Sequence, residues 1–218
     1  MMEATCLWRQ SHPDPVWERL REAMLDLVAE RGFQEVDEWE VAERAGIFPP
    51  EFHGYFRDAD DCFRQILAGN CDAIYAAVLA AYQAEAGWRD GLRAAAYAAA
   101  RLIRAFPREF RFAMTPDAGD LALASRDAFL QRLVDLVDEG RRELDDPCSV
   151  SRDLAEGILG SIVEHATFAL HDPDGQPDIE GFVPEFMYLA VSAYMGNEAG
   201  LEELTMPAPT GLPEPARA

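Results

Sequence analysis

The sequence predicts an all-α fold: a small N-terminal three-helix domain followed by a larger helical domain. Three observations carry that prediction. Apolar residues recur at i, i+3 and i+7 through most of the 218 residues, the spacing of one helical face. Strand-like alternation competes nowhere along the chain. And the stretch Val36 to Phe56, VDEWEVAERAGIFPPEFHGYF, reads as two short helices joined by a glycine turn.

In that stretch Asp37 is a candidate N-cap with Glu40 three residues on, the spacing of a capping box. Val41, Ala42 and Ala45 share one face, and Gly46 allows the chain to reverse. Pro49 and Pro50 suit the first turn of a second helix, where a missing N–H costs nothing. Phe52, Tyr55 and Phe56 would give that helix an aromatic face. The spacing is that of a helix-turn-helix, whose second helix can enter the major groove of DNA. An ordinary corner between two helices has the same spacing.

Around it, residues 1–14 read as a flexible arm, and a first helix runs from Pro15 to Arg31 on Trp17, Leu20, Met24, Leu27 and Val28, ended by Gly32. Phe33 is expected to pack back on it. A fourth helix starts near Asp58, with Asp61 as capping partner, and runs towards Tyr82. Trp88 to Phe106 is helical until Pro107, and a short aromatic helix follows over Arg108 to Met114. Residues 119–144 are expected to be one helix, stopped by Asp145-Asp146-Pro147.

Ser151 to Leu170 carries Gly157, Gly160 and Ser161, small residues that let another helix approach closely. His171 to Pro177 reads as a turn. Gly181 to Met195 is apolar on most sides, with Phe182, Phe186 and Leu189 among its large residues. Such a helix must be buried on most sides, against a second subunit or as a central core helix. The proline-rich residues 205–218 read as disordered. The expected division is therefore 1–57, 58–204 and a tail from 205 to 218.

Composition narrows the function. No apolar run approaches the roughly 20 residues that span a bilayer, and no secretory signal pattern opens the chain, so a cytoplasmic protein without membrane partners is expected. The net charge is −21, and all nineteen basic residues are arginine. Residues 1–67 hold seven arginines against fifteen acidic residues, a net −8. DNA affinity rests largely on neutralising phosphates, so any such surface must gather its few guanidinium groups on one side. Cysteines at 6, 62, 71 and 148 form no C-x-x-C pair and no zinc-ligand spacing. No metal or cofactor site is expected, and Cys62 and Cys71 read as packed thiols. No nucleophile–base pattern, phosphate-binding glycine loop or H-E-x-x-H motif is present, which argues against an enzyme.

The segment RLREAMLDLVAERGFQEVDEWEVAERAGIFPPEFHGYFRDADDCF resembles the N-terminal pattern of the TetR/AcrR transcriptional regulators. That pattern is a helix ending in E-x-G-F, then I-A-x-x-A-G-V-S, then an aromatic recognition helix ending in H-F or Y-F. FVPEFMYLAVSAYMGNEAG resembles C-terminal helices of one branch of the family. The resemblance implies a ligand-responsive DNA-binding transcriptional regulator, a repressor by preference, acting as a homodimer on a palindromic operator. The alternative is a dimeric small-molecule binding or protein-interaction module that has lost operator binding.

The resemblance places the DNA contacts at Trp39, Arg44, Pro49, Glu51, His53, Gly54, Tyr55 and Arg57. The sequence departs from the pattern there. Phe48 stands where a polar cap is usual, Glu51 where Thr is common, His53 where a Tyr often meets the backbone, and Ala59 where Lys is frequent. A small apolar ligand is implied for the larger domain. Tyr97 and Arg101 share a helical face with Arg104, Phe106, Phe110 and Met114 could line an apolar pocket or plain core, and Glu164, His165 and Phe168 complete the ligand candidates. Gly157, Gly160, Ser161, Phe182, Phe186 and Leu189 are the candidate dimer interface, since the family pairs its last two helices with their mates.

Overall fold

The computed structural model describes residues 14–115, 118–171 and 178–212, and among them there is no strand. Residues 1–13 of the expected 1–14 arm, with Arg9, a candidate guanidinium for the DNA-facing side, the His171 to Pro177 turn, and the last six residues of the tail lie outside the described residues or their described side chains. The described residues divide into two compact units: residues 14–73 with 106–115 and 118–128, and residues 74–105 with 129–171 and 178–212.

Unit one opens on α1, Pro15–Arg31. Asp14 caps it by accepting the Val16 N–H at 2.8 Å, Pro15 occupies its first turn, and Gly32 ends it at φ 82°. Trp17, Leu20, Met24, Leu27 and Val28 are buried along one face, as the spacing predicts. Each such side chain contributes about 1.5–3 kcal/mol when fully withdrawn from water. Phe33 starts a single 3₁₀ turn, Phe33–Glu35, and its ring lies 4.4 Å from that of Phe63.

α2 spans Glu38–Ala45. Its capping box is formed: Glu40 N–H donates to Asp37 Oδ1 at 2.9 Å, and Asp37 N–H to Glu40 Oε2 at 3.3 Å. Gly46 closes the helix in the left-handed region at φ 64°, where a side chain would be strained. α3 is only Pro49–Phe52. The longer aromatic helix expected up to Phe56 does not form. After Phe52 the chain tightens, with Gly54 N–H on the Glu51 carbonyl at 3.0 Å and Tyr55 N–H on the Phe52 carbonyl at 2.9 Å. These i→i+3 bonds are those of a tight turn and do not continue the helix. Phe52 and Phe56 are both buried, 5.6 Å apart.

α4, Ala59–Gln83, begins in unit one, where Asp61 N–H donates to Asp58 Oδ1 at 2.7 Å. α6, Pro107–Ala113, and the first residues of α7, Gly119–Asp138, belong to the same unit. Unit one thus takes in more of the chain than residues 1–57, for two physical reasons. Phe63 stands between Phe33 and Phe112, the latter at 4.6 Å. And Arg21 of α1, 1% exposed, reaches Glu109 of α6 at 3.1 Å. Arg108 beside it reaches Asp26 at 2.7 Å and also pairs with Glu22.

Unit two holds the end of α4, α5 (Trp88–Ala105), the end of α7, α8 (Asp153–His171), α9 (Val183–Met195) and α10 (Asn197–Glu203). α7 stops at Asp138, short of the expected 144, and a 3₁₀ segment runs from Glu139 to Glu143. Gly140 there leaves room for Trp88, whose Cε2 would lie 2.7 Å from a Cβ at that position. The Trp88 indole N–H donates to the Leu136 carbonyl at 3.0 Å and its ring meets Tyr194 edge-on at 5.4 Å.

The helix α10 goes beyond the sequence reading. Gly196, at φ 88°, breaks α9, and Gly200 lets α10 fold back: a Cβ there would lie 2.9 Å from the Tyr188 carbonyl. Glu203, 1% exposed, fixes it to α5, taking the Arg93 guanidinium through two bonds of 2.7 and 2.8 Å and pairing with Arg89. Beyond it, residues 205–212 have no regular secondary structure, and the Leu212 carbonyl accepts from Arg101 at 3.2 Å. Cys62 and Cys71 are buried, and burial pushes the Cys62 pKa well up.

Candidate functional site

The helix-turn-helix of unit one presents α2 and α3. Arg44 and Arg57, the described arginines expected on that surface, both sit against a carboxylate. Arg44 donates twice to Glu30, both bonds 2.8 Å, and the contact holds the Glu30 carboxyl below its ordinary pKa. Arg57 meets Asp61 at 3.2 Å through its side chain and at 3.1 Å through its backbone N–H. Those bonds pull the Asp61 carboxyl down to about 2. Arg31 pairs with Glu40 at 2.6 Å. Leu27, Glu30, Arg31, Glu40, Glu43 and Arg44 line a groove of about 520 Å³ beside α2.

The start of α3 offers no backbone donors to an anion. Pro49 and Pro50 have no N–H, the Glu51 N–H is taken by the Phe48 carbonyl at 2.8 Å, and the Phe48 N–H by Glu51 Oε2 at 3.3 Å. Glu51 therefore turns its carboxylate back on its own helix while remaining exposed. His53 lies 3.7 Å from Glu38 of α2, Gly54 is exposed, and the Tyr55 hydroxyl donates to Asp14 at 2.9 Å, which raises its own pKa. Trp39, 60% exposed, and Phe48, 70% exposed, stand bare beside these charges.

The ligand candidates are distributed over the two units. Phe106 and Phe110 are buried in unit one and Met114 is half-buried there. In unit two Tyr97 is buried, which raises its pKa, and Arg101 and Arg104 both lie against Glu180, at 3.8 and 2.6 Å. His165 is half-buried and stacked on Phe182, ring centroids 3.9 Å apart, which joins α8 to the start of α9. Glu164 is exposed, and Phe168 is 78% exposed.

Gly157, Gly160 and Ser161 are exposed along the same helix, and a Cβ built on either glycine meets nothing within 4 Å. On α9 Leu189 is exposed and Phe182 half-buried, but Phe186 is core. Its burial inside its own unit removes it from the candidate interface. Among the described residues no group of three or more His, Cys, Asp or Glu side chains is placed to hold a metal ion. None of the described helices is long and apolar enough to cross a membrane.

Sequence reasoning missed the carboxylate partners that occupy the arginines. The i, i+4 spacing of Arg57 and Asp61 was a usable signal. Glu30 and Arg44, fourteen residues apart on different helices, left none.

No family model and no curated relative matches the sequence. Solved structures do match the fold. The fatty acid degradation regulator FadR of Bacillus halodurans superposes with a TM-score of 0.70 at 16% identity, covering 81% of this chain and 95% of its own. FadR of Bacillus subtilis in complex with stearoyl-CoA gives 0.65 at 13%, with 83% and 98% covered. A TetR family regulator of Marinobacter aquaeolei gives 0.66 at 21%, with 84% and 97% covered. The chain has a TetR/AcrR-like fold.

Proposed function

We propose that this chain is a ligand-responsive transcriptional regulator that works as a homodimer. The observation that carries the reading is the placement of a capped helix-turn-helix at the start of a TetR-like fold that spans most of the chain. Two copies would present two α3 segments to successive turns of a palindromic operator. The ion pairs on that surface are exchangeable. Exposed ion pairs contribute little, so Arg44 can trade Glu30 for a phosphate at little cost, and the largely exposed Arg57 can turn outward while Asp61 keeps its bonds to the Arg57 N–H and Gln65. The ligand class we assign is a small, mainly apolar molecule. The Bacillus subtilis neighbour was solved with stearoyl-CoA, which makes it the first probe.

One observation favours a second reading. Arg31, Arg44 and Arg57 each face a carboxylate, and Glu51 occupies the helix that would enter the groove. A dimeric binding module that no longer engages an operator would have this surface. Gel shift against DNA flanking its own gene, over a salt series and with and without stearoyl-CoA, separates the two. Specific binding that weakens steeply with salt and responds to the ligand supports the regulator. No shift at low salt gives the second reading.

A further inference from the structure

The α2–α3 surface combines two properties that suit a protein partner better than a nucleic acid. It is acidic: Glu43 and Glu51 are exposed, Glu38 lies 3.7 Å from His53, and Arg31, Arg44 and Arg57 are each paired with a carboxylate. It is also apolar at two points, Trp39 on the second residue of α2 and Phe48 just before α3. Trp39 and Glu43 lie one helical turn apart on α2, so an indole face and a carboxylate share one stripe.

We propose that this face docks an arginine-rich amphipathic segment of another protein. Guanidinium groups complement it twice over. They bond carboxylates through a planar fork and stack on indole faces. Apolar side chains of the same segment would cover Phe48 and the rest of the Trp39 ring. Exposed aromatics that become buried are the usual anchors of such contacts. A DNA backbone must first displace carboxylates from Arg44 and Arg57 and approach Glu43 and Glu51, whereas an arginine-rich segment meets the carboxylates as they stand. Docking here would compete with any DNA bound at the same face, and the proposal stands whether or not the chain binds an operator.

The test uses the full chain and two short labelled peptides of equal charge, read by fluorescence anisotropy. One alternates arginine with leucine at helical spacing; the other replaces each leucine with serine. The leucine peptide is expected to bind about tenfold more tightly. Trp39→Ala with Phe48→Ala should erase that preference, leaving weak binding that salt removes. Glu43→Gln with Glu51→Gln should weaken both peptides. Both aromatics are exposed, so the melting temperature of the variants should stay at the parent value. Equal binding of the two peptides, no binding of either, or unchanged preference in the aromatic variant overturns the proposal. Gel shift on operator DNA reads the regulator assignment separately, so either idea can fail alone.

Discussion

Asp61 shows how much one side chain does at the start of α4. Its backbone N–H is held by Asp58, and its carboxylate accepts from Arg57 twice and from Gln65 at 3.2 Å. Its pKa falls from 3.8 to about 2. A lowered carboxylate pKa means stability present above pH 4 and lost as pH falls through 2. Arg57 is largely exposed, which reduces the worth of the ion pair. Asp61→Asn should therefore cost on the order of 1–2 kcal/mol at pH 7 and well under about 1 kcal/mol at pH 2. Urea melts at the two pH values measure it, and an equal cost at both would remove the electrostatic account.

At the scale of elements, legibility followed how local each determinant was. α1 reads off correctly from Pro15 to Arg31 because its cap, its proline, its apolar stripe and its closing glycine are all neighbours in sequence. The same holds for the capping box of α2. α3 was overread because Phe52, Tyr55 and Phe56 mimic a helical face, yet Phe52 and Phe56 are buried across a turn while Tyr55 reaches back to Asp14. α10 was missed because its reason for existing is distant: Glu203 is buried on Arg89 and Arg93, roughly a hundred residues earlier in the chain. The candidate site suffered in the same way, since its arginines were legible and most of their partners were not. Glu203→Ala should expose this dependence. Removing Glu203 takes the buried carboxylate from both guanidinium groups and leaves them exposed partners, Asp90 at 2.6 Å for Arg93 and Glu202 for Arg89; breaking a buried pair costs about 3–5 kcal/mol, so we expect a clear fall in the denaturation midpoint. Exposed Glu202, which meets Arg89 at 3.0 Å, should cost under about 1 kcal/mol when replaced by Ala.

For the whole molecule, α8 holds the strongest argument for a second copy. Each glycine inside a helix costs about 1 kcal/mol relative to alanine, and Gly157 and Gly160 both lie inside α8 with no atom of the described residues within 4 Å of a Cβ built there. Ser161, Glu164 and Phe168 continue the exposed face, with Leu189 exposed on α9, which packs against α8. Small residues backed by an exposed aromatic suit close helix packing by a mate. Two effects of opposite sign follow for Gly160→Arg combined with Phe168→Glu. The isolated chain should be no less stable, because arginine meets open space and favours helix more than glycine does. The dimer should be lost, because two bulky charges would meet their own copies across a twofold axis. Sedimentation should then give about twice 24.2 kDa for the parent and 24.2 kDa for the variant. A palindromic operator that binds the parent should release the variant at the same salt, since one α3 segment contacts only half the site. A parent that sediments at 24.2 kDa would leave the glycines of α8 without a partner and the homodimer proposal without support.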